Sequence, residues 1–261
     1  MKYFRIWVRL AKMRFRELYI ESRLNSIFLV SGKLIRFTFF FIFIVALLGK
    51  TQTLAGFTLY QALLFFMTFN LVDIASQFLL RGTYAVRSMI DRGQIDQFLT
   101  QPINVLFRVA SDTIDLLDLT TLVPVLIVLS IVIVRLGTPI TLASFLLYLL
   151  LCANAILIAL AIHVIIIGIS IITQEMSSEI WIYRDLMTMG RFPVDIYSKI
   201  IQFALIYLVP IAVMVSFPAK ILIGVLSPTF TILAFIIGAI FFASSLIFWK
   251  FALKNYTSIS S

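Results

Sequence analysis

Long apolar runs alternate with short polar ones along this chain, and six of the runs reach the length of a bilayer crossing. They fall at about Ile27 to Leu48, Leu54 to Leu79, Leu116 to Leu136, Leu142 to Ile172, Ile200 to Phe217 and Thr229 to Trp249. A helix of about 20 mainly apolar residues matches a hydrocarbon core about 30 Å thick, so each run predicts one spanning helix. Strands of membrane barrels alternate apolar and polar positions. Phe37 to Leu48 and Ile162 to Ile172 show no such alternation. The pattern therefore predicts an all-α polytopic membrane protein. The fourth run is too long for one upright crossing and must tilt, emerge from the bilayer or break near Gly168.

The polar stretches carry a second pattern. Lys2, Arg5, Arg9, Lys12 and Arg16 recur at steps of three and four, with Phe4, Trp7, Val8, Ala11, Phe15 and Leu18 roughly opposite. That spacing predicts an amphipathic helix over residues 1–25 lying in the membrane interface, ahead of a single membrane domain over 26–261. Arg14 falls within the apolar arc and needs a neighbour to pair with, or must snorkel. Two inner loops, residues 80–115 and 173–199, are too apolar to be plain linkers. In the first, Tyr84, Met89, Ile95, Phe98 and Leu99 predict short amphipathic helical turns, separated by Gly93 and ended near Pro102. Such a helix suits docking into a groove on a partner protein, although a solvated connector would read the same way. In the second, Glu175, Glu179, Arg184, Asp185, Arg191 and Asp195 interleave with Trp181, Tyr183 and Met187, and Gly190 to Pro193 forms a turn signal. That loop reads as a docking, interfacial or partly re-entrant segment.

Charge orients the map. Of 21 Lys and Arg, all but Lys50, Arg135 and Lys220 fall on one side of the six predicted spans. An excess of Lys and Arg in short loops marks the cytoplasmic face, so both termini are expected there. A net charge of +9 does not point to nucleic acid here. The basic residues flank spans, where anionic lipid headgroups are the expected partner.

Candidate chemistry is sparse. Gly49-Lys50-Thr51 ends like a phosphate-binding loop, but Ile44 stands where that motif needs a glycine. Nucleotide hydrolysis is therefore not expected of this chain. His163 is the only histidine and Cys152 the only cysteine, both within the fourth run. Neither has the company that a metal site or a nucleophile requires, and both read as packing residues. Intramembrane polar groups say more. Asn70, Asp73 and Gln77 share one helix face, and Arg108, Asp112, Asp115 and Asp118 form a stripe into the third span. Lys33 and Arg36 enter the first span. Charges at depth are costly and face partners or water. Helix-to-helix pairing of Lys33 or Arg36 with Asp73, Asp112 or Asp115 is expected; an ion-coupling pathway through the carboxylates is the sharper alternative.

Taken in order, these landmarks resemble a known family. A basic amphipathic lead-in helix, six spans, the inner run Ile90-Asp91-Arg92-Gly93-Gln94-Ile95-Asp96-Gln97-Phe98-Leu99-Thr100-Gln101-Pro102-Ile103-Asn104, then Gly190-Arg191-Phe192-Pro193, Pro210 and Phe217-Pro218-Ala219-Lys220, are similar to the ABC-2 type permeases. The likeness is closest to the bacterial branch of six-span chains of about this length. It implies a transmembrane subunit of an ABC transporter in the plasma membrane, paired with a second permease, either a copy of itself or a related chain. A separately encoded cytoplasmic ATPase would bind ATP and magnesium, with no cofactor on this chain. Export is the direction the family implies. Asp91, Arg92, Gly93, Asp96 and Pro102 would form the ATPase-coupling loop, and Gly190, Arg191 and Pro193 a second one.

Overall fold

A computed structural model describes residues 2–21, 23–173 and 179–256, with side chains at all of these except 17–21, 23, 25 and 179. Glu175 and the serine-rich tail after Tyr256 lie outside the described residues. Among the described residues every regular element is helical, and five helices are long and apolar enough to cross a membrane, or six if the bent pair Lys199–Leu208 and Ala212–Ile223 counts as one span. After α1 (Lys2–Glu21), the first two long helices are α2 (Arg23–Thr51) and α3 (Leu59–Leu80). A tight turn joins them, in which Leu54 and Phe57 exchange backbone hydrogen bonds of 2.9 Å. A 3-10 turn at Arg81–Ala85 leads into three short helices, α4 (Val86–Asp91), α5 (Gln94–Leu99) and α6 (Val105–Ala110). Next come α7 (Asp118–Arg135) and α8 (Leu142–Thr173). The chain then passes through α9 (Glu179–Thr188), α10 (Lys199–Phe203) and α11 (Phe217–Ile223) before the last long helix, α12 (Pro228–Lys254).

The core sits on α3, α8 and the residues around α11. Leu64, Phe65 and Met67 of α3, Leu151, Ala155 and Ile158 of α8, and Ile211 to Val215 are all buried. By contrast α2 and α7 expose broad apolar faces, including Phe39 and Val134, as lipid-facing helices do. The α8–α12 contact is close because small and polar residues let the backbones meet. Asn154 donates to the carbonyl of Ala234 at 2.9 Å. A Cβ on Gly238 would fall 2.0 Å from the Asn154 side-chain oxygen. Gly168 plays the same part lower down. The 32-residue α8 continues through it unbroken, and the missing side chain leaves room for Phe248, whose ring would be 2.7 Å from an added Cβ. At 1.5 Å per residue α8 is about 48 Å long, so it projects beyond or tilts within a 30 Å core.

The span expected at Ile200 to Phe217 is bent. Its helical parts, Lys199–Leu208 and Ala212–Ile223, meet at a bend of 84°. Pro210 causes it: proline lacks an N–H and pushes its predecessor out of the helical region. Val209 accordingly sits at φ −127 and ψ 92. Two π-helical turns, Ala204–Leu208 and Ala212–Ser216, flank the break and absorb the mismatch.

The segment before the bend climbs along the bundle. Arg184 of α9 pairs with Asp73, about 10 Å from the Leu80 end of α3 at 1.5 Å per residue. Arg191 lies over Phe69, about 16 Å from that end, and over Phe40 of α2. A Cβ on Gly190 would stand 3.1 Å from Ile211 and Val215. Further on, Val194 donates to the Ser216 hydroxyl at 3.2 Å and Asp195 accepts from Lys220 at 2.9 Å. Two residues past Lys220, the Leu222 carbonyl accepts from Thr138 in the α7–α8 turn. From Arg184 to Asp195 the chain therefore runs from the α8 C-terminal side of the bundle toward the α7–α8 turn.

Candidate functional site

Two regions concentrate the polar groups. The first is the α4–α5 turn. Gly93 adopts φ 65 and ψ 17, left-handed backbone that a side chain would strain, and this lets α5 fold back beside α4. Ile95 and Phe98 of α5 and Met89 and Ile90 of α4 are buried with Val164, Ile167 and Ile171 of α8 and Trp249 and Ala252 of α12. The turn is thus bolted to the ends of two long helices. Its outer side leaves Asp91, Arg92, Gln97, Thr100, Gln101 and Pro102 exposed, along with Leu99. Asp91 is held by Arg87 at 2.9 Å. Asp96, in the first turn of α5, is only half-exposed and adjoins Tyr256, whose hydroxyl is pushed up to about 12 by burial and by the neighbouring Asp96 carboxylate. Lys2 donates to the Pro102 carbonyl at 3.2 Å. Both ends of the described chain therefore meet at this turn.

α1 lies across the base of the bundle. Tyr3 packs edge-on against Phe107, and Trp7 against Phe78. Arg14, the misfit of the apolar arc, turns inward and donates to the Asp112 carbonyl at 3.1 Å. The carboxylate of Asp112 also accepts from Arg108 at 2.9 Å, one helical turn away.

The second region is a cavity of about 160 Å³ between α2, α3, the start of α7 and the climbing segment. Lys33 reaches both Asp115 at 3.1 Å and Asp118 at 2.6 Å, tying α2 to α7. Asp73 is taken by Arg184 across 111 residues of sequence. Arg81 comes within 3.9 Å of Asp115, donates to Gln77 at 3.2 Å and covers the Tyr84 ring. Gln77 in turn donates to the Tyr84 hydroxyl at 2.8 Å. Arg36 and Arg191 also line the cavity, and among the described residues no carboxylate comes within ion-pair distance of either. Phe37, Phe40, Phe66 and Phe69 form its apolar wall.

The profile of a family described as "ABC-2 family transporter protein" matches residues 34–260, nearly the whole helical bundle. The chain belongs to the ABC-2 transporter family. No curated protein and no solved structure matches it. This ABC-2 family chain is a multi-pass membrane protein of a transporter, in a family whose membrane subunits are typically non-catalytic.

The expected pairing of Lys33 with Asp115 is present in this ABC-2 family protein, and Asp118 joins it. Asp73 takes Arg184 instead of Lys33 or Arg36, and Asp112 takes Arg14 and Arg108. Gly190, Arg191 and Pro193 do not share a loop surface. Gly190 and Pro193 are buried, and Arg191 is half-buried against two phenylalanines. The roles of Arg184 and Arg81 escaped sequence reasoning, because partners 111 and 34 positions away leave no helical spacing to find. His163 is enclosed by Tyr84 and Tyr183 and contacts the Ala159 carbonyl at 2.7 Å, the arrangement of a packing residue.

Proposed function

We propose that this chain is the transmembrane subunit of an exporter, working in a pair of permeases driven by a separate cytoplasmic ATPase that docks on the α4–α5 turn. One observation carries the docking reading: the turn exposes Arg92, Gln97 and Leu99 while its inner face is packed into α8 and α12. A push on the turn is then a push on two long helices. ATP binding would close the ATPase pair, the turns would follow as rigid bodies, and the cavity between permeases would change the side to which it opens. ATP and magnesium belong to the ATPase in this reading. Arg92 and Gln97 supply polar contacts at its surface. Asp96 acts from within, at the N-terminal turn of α5, where a carboxylate is favourable to the helix dipole.

In the same reading both termini are cytoplasmic, 179–197 makes the fifth crossing, and the bent pair Lys199–Leu208 and Ala212–Ile223 dips in from the outer side and returns. Lys199 then joins Lys50, Arg135 and Lys220 on the outer side, and most of the remaining Lys and Arg stay on the side of the termini, which supports that orientation. The ion-coupled alternative is weakened by pairing, since Asp73, Asp112, Asp115 and Asp118 each have a cation at 3.1 Å or closer. The test is co-purification with an ATPase from the native membrane, followed by Arg92→Ala. Reduced hydrolysis in the reconstituted complex, with membrane insertion intact, supports the reading. Undiminished hydrolysis together with ion-dependent flux would sink it.

A further inference from the structure

The cavity between α2, α3, α7 and the climbing segment holds more positive charge than its own carboxylates neutralise. Lys33, Arg36, Arg81, Arg184 and Arg191 line it against Asp73, Asp115 and Asp118, five cations to three anions. The three carboxylates are committed to Lys33, Arg81 and Arg184. Among the described residues that leaves Arg36 and Arg191 without a carboxylate partner. Arg191 faces the aromatic wall, its guanidinium carbon 5.0 Å from the Phe40 ring centre and 5.3 Å from that of Phe69. The ring faces attract the guanidinium but leave its charge in place at membrane depth, where a charge ordinarily has a partner, and an anion would neutralise it.

Size and lining narrow the anion. A volume of about 160 Å³ exceeds the ~30 Å³ share of one water molecule and falls short of the ~300–1,000 Å³ of drug-sized pockets. It suits a headgroup, not a whole ligand. Phe37 and Phe40, half-buried beside the arginines, offer an apolar surface to whatever is attached to that headgroup, with Phe66 and Phe69 buried behind them. Arginine's planar fork matches phosphate oxygens better than a point charge does.

We propose that this cavity binds the anionic headgroup of an amphiphile, with a phosphate-class anion between Arg36 and Arg191 and its apolar part leading out along the half-buried Phe37 and Phe40. The inference stands on the cavity alone and holds whether the amphiphile is moved across the membrane or only held there.

The full-length chain in neutral detergent can be titrated with phosphatidylglycerol, phosphatidylcholine or inorganic phosphate, with bound molecules counted by native mass spectrometry. Phosphatidylglycerol should be retained in preference to phosphatidylcholine. Arg36→Gln and Arg191→Gln should each weaken its binding about tenfold, as loss of a charge-assisted hydrogen bond does, and Arg191→Lys should recover part of the loss. Arg135→Gln removes the same charge outside the cavity, at the end of α7, and should change nothing. Arg36 is exposed and unpaired among the described residues, so its variant tests the site even if Arg191→Gln folds poorly. Equal retention of both lipids, or binding untouched by both glutamine variants, overturns the proposal. Displacement by inorganic phosphate alone at equal concentration overturns the amphiphile and leaves a free-anion site.

Discussion

The Asp73 carboxylate stands in the second half of α3, where an unpaired charge facing hydrocarbon would cost several kcal/mol. Its guanidinium partner, Arg184, holds α9 against α3. Breaking a fully buried ion pair loses about 3–5 kcal/mol, mostly through the charge left behind. The Asp73 and Arg184 side chains are 19% and 23% exposed, so the loss here should be smaller. Asp73→Asn and Arg184→Gln should each lower the thermal midpoint in detergent, and the exchange Asp73→Arg with Arg184→Asp should recover much of it. No recovery in the exchanged variant would mean that Asp73 serves something other than this pairing. Such charges were legible in the sequence as a set. The spacing of Arg108 and Asp112 announced an i,i+4 pair, and that pair is made at 2.9 Å. Which distant cation each remaining carboxylate takes is decided by helix packing, and no local spacing encodes it.

Hydrophobic periodicity located the long helices well. α2, α3, α7, α8 and α12 all overlap the stretches expected, because twenty apolar residues leave few structural choices in a bilayer. The run at Ile200 to Phe217 is apolar enough to span, as the pattern predicts, but its helical parts bend by 84° at Pro210, a bend that periodicity does not report. Hydropathy reports solubility in lipid, and a hairpin dipping into the membrane is as apolar as a crossing. The signal available was Val209-Pro210 at the centre of the run, a dipeptide that disfavours a continuous helix. The two topologies differ in where Ser198 emerges. With Cys152→Ser as background, a cysteine introduced by Ser198→Cys should react with an impermeant maleimide from the face opposite the termini. A cysteine introduced by Gln97→Cys should react from the same face as the termini. Labelling of both from one face would restore a straight fifth span over Ile200 to Phe217.

For the molecule as a unit, the α4–α5 turn is where separate parts converge. Lys2 of α1, the ends of α8 and α12, and Tyr256 near the C-terminus all meet there. Truncating Phe98 to alanine would open a cavity between the turn and those helix ends, a change worth about 3–5 kcal/mol in a close-packed core. If the proposed docking on this turn holds, Phe98→Ala should still co-purify with the ATPase, because the exposed side of the turn is unaltered, but its hydrolysis should no longer respond to substrate. An intact response would place the transmission elsewhere.

The sequence by itself determined the environment, the helical class, the amphipathic lead-in and the family, because these follow from composition, period and the order of short motifs. It also singled out Lys33, Asp73, Asp112 and Asp115 as groups needing partners, since a charge within an apolar run cannot stay unsolvated. Only the tertiary structure decided that Arg184 and Arg191 lie inside the bundle, that three carboxylates are neutralised there, and that two arginines are left facing one cavity. The physical reason is distance along the chain. Periodicity fixes what a residue's own helix does, whereas a cavity's net charge is a sum over helices that meet only when the bundle packs.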